Sequence, residues 1–124
     1  MRPLVCLFTC ATLIGCSSQV GPRQPLDGQW RLKAFSPFAP QTLTLTQHDS
    51  AVTGVGYAMG VDVRVSVNIT GTVSLPVVVL AFNYGGGTAR YTAMLETDSL
   101  LVGQAVYDAS FNGGRVDSLT FARQ

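Results

Sequence analysis

Val61-Asp62-Val63-Arg64-Val65-Ser66-Val67-Asn68-Ile69-Thr70-Gly71-Thr72-Val73 decides the fold. Val61, Val63, Val65, Val67 and Ile69 occupy alternate positions, and Asp62, Arg64, Ser66, Asn68 and Thr70 fill the positions between them. Successive side chains of a strand point to opposite faces. The run therefore reads as a β-strand with one face in a core and the other in water.

The same period extends outward in both directions. Thr42-Leu43-Thr44-Leu45-Thr46 alternates, Ala89, Tyr91, Ala93 and Leu95 alternate with Thr88, Arg90, Thr92 and Met94, and Leu119 and Phe121 alternate with Ser118, Thr120 and Ala122. No helical period runs through any useful window after Asp27. Turn residues divide the runs: Ser36-Pro37 and Pro40, His48-Asp49-Ser50, Met59-Gly60, Ser74-Leu75-Pro76, Gly85-Gly86-Gly87, Thr97-Asp98 and Asn112-Gly113-Gly114. The spacing predicts strands over 28–35, 41–47, 51–58, 61–73, 77–84, 88–95, 99–107 and 116–123. These are about eight short strands with short connections, which favour an antiparallel meander. The fold class is all-β, an antiparallel up-and-down β-barrel of about eight short strands, because closure removes both exposed edges. Closure requires the first and last strands to pair. Gly54, Gly56, Gly71 and Gly103 sit inside strands, where glycine marks a bend, a bulge or the close approach of another backbone.

The N-terminus has a different character. Arg2 precedes an apolar run over residues 4–13 that has signal-peptide length and is too short for a permanent span. The run closes on Leu13-Ile14-Gly15-Cys16, which resembles the lipobox of bacterial lipoproteins. That resemblance implies a signal peptide over 1–15 and acylation of Cys16, with palmitate-type chains on sulfur and amino group, which makes the membrane a partner through the lipid. It also implies a site of action at the cell envelope. In Gram-negative lipoproteins an Asp after the cysteine favours inner-membrane retention. Ser17 stands there instead, which points to the outer membrane, facing the periplasm or the cell surface. Residues 17–25 are polar and carry Pro22, Pro25 and Gly21, so 16–26 reads as the lipidated cysteine and a tether, and 27–124 as the barrel domain.

Composition narrows the function classes. Cys6 and Cys10 lie in the signal, so the mature chain has Cys16 alone and no disulfide framework. Removing Arg2 from eight basic side chains leaves seven against seven acidic ones. That neutral balance gives no case for nucleic acid.

Gly28-Gln29-Trp30 opens the first strand, and Arg123 closes the last. This arrangement resembles the Gly-x-Trp signature of lipocalins and their calycin relatives. The resemblance implies that Trp30 sits at the base of the barrel and that Arg123 packs across its indole, which makes Gly28, Trp30 and Arg123 the residues of barrel closure. The chain is shorter than a typical lipocalin and leaves no room for the helix before the last strand; it resembles a compact lipocalin-like lipoprotein.

Catalytic groups are scarce. His48 is the only histidine and lies in a polar turn beside Asp49. Asp62, Glu96, Asp98, Asp108 and Asp117 are assigned to turns and wet strand faces, with no pair spaced for acid–base work. The expectation is no enzyme, no metal and no cofactor. The aromatic residues Phe35, Phe38, Tyr57, Tyr84, Tyr107 and Phe111 lie near strand ends. They either ring one mouth and grip a ligand or act as lids on the core. Two functional readings follow. One is a lipid-anchored barrel that binds a small apolar ligand, and the other is a protein-interaction or inhibitor module that uses its loops. A cavity lined by Val, Leu and Tyr favours the first; a filled barrel with an exposed Phe-Pro loop favours the second. A third reading, an integral outer-membrane barrel, needs about 9–11 residues in every strand and leaves almost nothing for loops.

Overall fold

A computed structural model of the chain describes residues 24–60, 63–109 and 112–124. The proposed signal, Cys16, most of the tether, Asp62 and Phe111 lie outside the described residues. Eight strands run in chain order: β1 (Gly28–Leu32), β2 (Pro40–His48), β3 (Ala51–Met59), β4 (Arg64–Ser74), β5 (Val77–Asn83), β6 (Thr88–Thr97), β7 (Leu100–Tyr107) and β8 (Val116–Arg123). Each pairs antiparallel with the next. β1 also pairs with β8, through Trp30↔Arg123, Arg31↔Ala122 and Leu32↔Phe121, and this seam closes the barrel.

The alternation of the sequence becomes the two walls of the barrel. Along β4 the outward Arg64, Ser66, Asn68, Thr70 and Thr72 are exposed, while Val67, Ile69 and Val73 are buried. The inward side chains fill the interior. Tyr91 stacks on Phe82 at 5.7 Å between centroids and meets Phe121 edge-on at 5.4 Å. Its hydroxyl donates to the Leu119 carbonyl at 2.9 Å, so the buried phenol keeps a partner. The inner wall is apolar, and the outer wall mixes polar side chains such as Asn68, Thr70, Arg90 and Thr92 with exposed Val55, Val77, Met94 and Val106.

Two of the interior glycines show why they are there. A Cβ on Gly71 would lie 2.2 Å from the Val79 carbonyl oxygen, and one on Gly103 would lie 2.2 Å from that of Thr92. The neighbouring backbone comes too close for any side chain, which lets short strands curl into a narrow barrel.

Strand ends depart from the sequence reading in three places. β4 begins at Arg64 and not at residue 61, and Val63, expected on the core face, lies before the strand and is 58% exposed. β1 stops at Leu32 and not at residue 35. The Lys33 amide still bonds to Thr120, but Ser36 is drawn to the Asp117 carboxylate at 2.8 Å, which turns the chain over the barrel end. β6 continues to Thr97 through an irregularity between Leu95 and Thr97, an extra residue of the kind that bends a barrel strand.

Candidate functional site

An even-stranded meander puts both termini at one end. The connections after β2, β4 and β6 also lie there, and those after β1, β3, β5 and β7 lie at the other. The two ends differ chemically. We call the first the base and the second the mouth.

The base is sealed. Trp30 is fully buried, and its indole N–H donates to the Leu26 carbonyl at 3.0 Å. The Arg123 guanidinium lies 4.4 Å from the Trp30 ring centroid. It donates to the carbonyls of Pro25 and Asp27, and to that of Asp98 at 2.9 Å. Leu26, at the end of the tether in the sequence reading, is fully buried. Its amide donates to Gln47 Oε1 at 3.0 Å, and the Gln47 amide donates to Asp27 Oδ1 at 2.7 Å. Residues 24–27 thus form a strap across the base. Gly28, with φ of 119°, holds the left-handed backbone between strap and strand. These contacts hold the strap to the barrel, and a small pocket lined by Gln24, Pro25, Leu95, Asp98 and Arg123 lies beside them. His48 and Asp49 sit outside this seal, with side chains 94% and 88% exposed.

The mouth carries an apolar pocket, while a larger polar-edged groove runs along the wall at Thr70, Thr72, Ala81, Thr88, Arg90 and Val106. A cavity of about 540 Å³ is lined by Phe35, Pro37, Phe38, Ala58, Met59, Val65 and Tyr84, with Gly60 and Gly86 at its edge. Phe38 forms its floor. The Phe38 ring meets Tyr107 edge-on at 6.2 Å, and the Arg115 guanidinium lies 4.9 Å from its centroid. The Tyr84 hydroxyl donates to the Phe38 carbonyl at 2.8 Å. Phe35 is 72% exposed at the rim, beside the exposed side chains of Met59 and Val63. Beneath the loop, both Asp117 oxygens are engaged, one by Ser36 and the other by Arg115 at 2.9 Å.

The surroundings of this layer shift Tyr84, Tyr107 and Asp117 away from neutral titration. Burial pushes the phenols of Tyr84 and Tyr107 well up, and Tyr107 beside Tyr84 and Asp117 beside Tyr107 add to it. Burial works against ionising Asp117, but the hydrogen bonds from Arg115 and Ser36 and the guanidinium charge outweigh it and hold the carboxyl below its ordinary value. The carboxylate and the phenols therefore latch the loop; neither is poised to exchange protons near neutral pH.

The sequence-derived aromatic set divides. Phe35, Phe38, Tyr84 and Tyr107 meet at the mouth. Tyr57 does not: it stands on the outer wall, with Arg64 4.9 Å from its ring. Its neighbours Gly56 and Ala58 take the inward positions, because Leu43 and Ile69 already fill the space there. Asp117 also departs from its assignment to a wet face. It points inward, on the same side of β8 as Leu119 and Phe121, and its side chain is only 12% exposed. Sequence reasoning missed Ser36, Arg115 and Met59. The inward parity of Asp117 was readable by counting back from Phe121; the partners across the loop were not. Among the described residues no group of three or more His, Cys, Asp or Glu side chains could hold a metal ion.

The chain matches no family model, no curated protein and no solved structure. Its likeness to lipocalins therefore rests on its own residues and on the closed eight-stranded barrel.

Proposed function

We propose that this protein is a non-enzymatic, lipid-anchored binding module of the cell envelope, and that it engages a protein partner through its mouth. The observation that carries this reading is the pairing of a filled interior with an exposed apolar rim. Tyr91, Phe82, Phe121, Leu80 and Leu119 leave the barrel no room for cargo, while Phe35, Met59 and Val63 stand in water around a shallow cup. Aromatic and methionine side chains around such a cup are the usual anchors of protein interfaces. Attachment by Cys16 and a place at the envelope rest on the lipobox resemblance.

A second reading is a small apolar ligand seated in the cup. It is favoured by a volume of about 540 Å³, which falls within the range of small-molecule sites.

Native mass spectrometry of the mature protein, gently extracted from its own membranes, tests the choice. The expected result is an adduct of protein mass that Phe35→Ser removes. A small-molecule adduct lost with the same substitution transfers the mouth to the second reading, and an adduct indifferent to Phe35 removes the mouth from both.

A further inference from the structure

We infer that the mouth is presented to the aqueous side of the anchoring membrane, so that its occupant is a protein segment arriving through water and not an acyl chain of that bilayer. This rests on the lipid-anchor reading and on the mouth as the binding surface. It adds where the partner must come from.

Strand parity comes first. Eight strands in an antiparallel meander return the chain to the end where it began, so residue 24 and the C-terminus share the base. The strap then fixes the exit point. Leu26 is fully buried, Gln47 and Arg123 hold the strap backbone, and the Gln24 amide donates to Asp27 Oδ2 at 3.1 Å. A pull on the N-terminus is therefore delivered to the base, at the opposite end from Phe35 and the cup.

Length decides whether the barrel could nevertheless turn over. Eight Cα steps separate Cys16 from Gln24, and at no more than ~3.6 Å each they span at most about 29 Å. The nine residues of β3 rise about 27 Å along the strand, or about 20 Å of barrel height at the usual tilt, and the mouth loops stand above that. Placing the mouth on the membrane would require the linking segment to run back along the whole outer wall at close to its full extension. Shorter conformations cannot turn the mouth face down onto the bilayer.

One force opposes contact at the base. The carboxylates of Asp49, Glu96 and Asp98 are exposed there and are repelled by an anionic leaflet. That repulsion is screened within about 8 Å at physiological salt. A stand-off of that size is well inside the reach of the link, so the repulsion lifts the base without inverting the barrel.

The mature chain's only cysteine is Cys16, which makes single-thiol probes simple. Gly86→Cys places a thiol at the mouth, where a Cβ meets nothing within 4 Å, and Ser99→Cys places one on an exposed base turn. Each full-length lipoprotein, labelled with an environment-sensitive dye, is reconstituted into phosphatidylethanolamine–phosphatidylglycerol vesicles containing spin-labelled lipid. The expected result is at least threefold stronger lipid quenching at position 99 than at 86, with iodide in the bulk quenching position 86 as fully as in detergent. Equal or stronger lipid quenching at position 86 overturns the orientation alone. A protein that fails to float with the vesicles overturns the lipid-anchor reading, and this inference with it.

Discussion

Removing the Arg123 side chain should destabilise the barrel by about 3 kcal/mol, although Arg123 lies one residue from the C-terminus. The contact with the Trp30 ring, at 4.4 Å, contributes about 1 kcal/mol in a partly desolvated setting. The hydrogen bonds to the carbonyls of Pro25, Asp27 and Asp98 add roughly 0.5–1 kcal/mol each. The lower end applies because water replaces the guanidinium at the exposed Asp98 carbonyl. Trp30→Ala should cost more, roughly 3–5 kcal/mol, because it opens a cavity at the base and leaves the buried Leu26 carbonyl without its donor. If that variant does not fold, Trp30→Leu keeps an apolar side chain at the base and removes the aromatic face. Urea unfolding followed by far-ultraviolet circular dichroism suits the cycle, since Trp30 is the only tryptophan and its fluorescence disappears with it. Arg123→Ala, Trp30→Leu and their combination should fall short of additivity by about 1 kcal/mol, the energy of the contact counted twice. Additivity within about 0.3 kcal/mol would refute the claim that the stacked pair helps to close the seam.

Gly71→Ala and Gly103→Ala should each cost 3 kcal/mol or more, by about the measure of an overpacked core with backbone displacement, because the new methyl falls 2.2 Å from a carbonyl oxygen. Gly86→Ala, with open space around it, should change the midpoint hardly at all in the same urea titration. Asp117 has a folded pKa held below its ordinary value of 3.8, so the stability it supplies is present above that value and lost as pH falls through it. Scanning calorimetry between pH 6 and 3 should therefore show a smaller loss of Tm for Asp117→Asn than for the wild type. Tyr84, Tyr91 and Tyr107 have raised values, so their contribution is intact below pH 10 and fades above it; Tyr91→Phe should flatten the alkaline fall.

The barrel was legible because its inner wall is built from one repeated rule. The run from Val65 to Val73 sets the parity of β4, and the same parity in β2, β6 and β8 leaves only closure to protect the edges. Trp30 and Arg123 could be placed as partners because the first and last strands of a closed meander must meet. The mouth was less legible because polarity inverts there. Val116 is outward and 54% exposed, while Asp117 is inward, so hydrophobicity alone assigns the faces wrongly. β3 misleads by size: its inner positions are Val52, Gly54, Gly56 and Ala58, and its larger Val55, Tyr57 and Met59 face out. A reading that sends aromatics inward moves Tyr57 to the wrong wall. The path of the loop after Leu32 depends on Ser36, Gln41, Arg115 and Asp117 meeting across the barrel end, and no local pattern encodes that.

The proposed function requires binding by the mouth of the barrel and not by its interior or wall. A photo-crosslinking amino acid at position 35, activated in intact cells that make the full-length protein, tests it directly, with the same residue at position 92 on the exposed outer wall as control. The account predicts a discrete adduct of protein mass from position 35 and none from position 92. An adduct at position 92 with none at position 35 would contradict it.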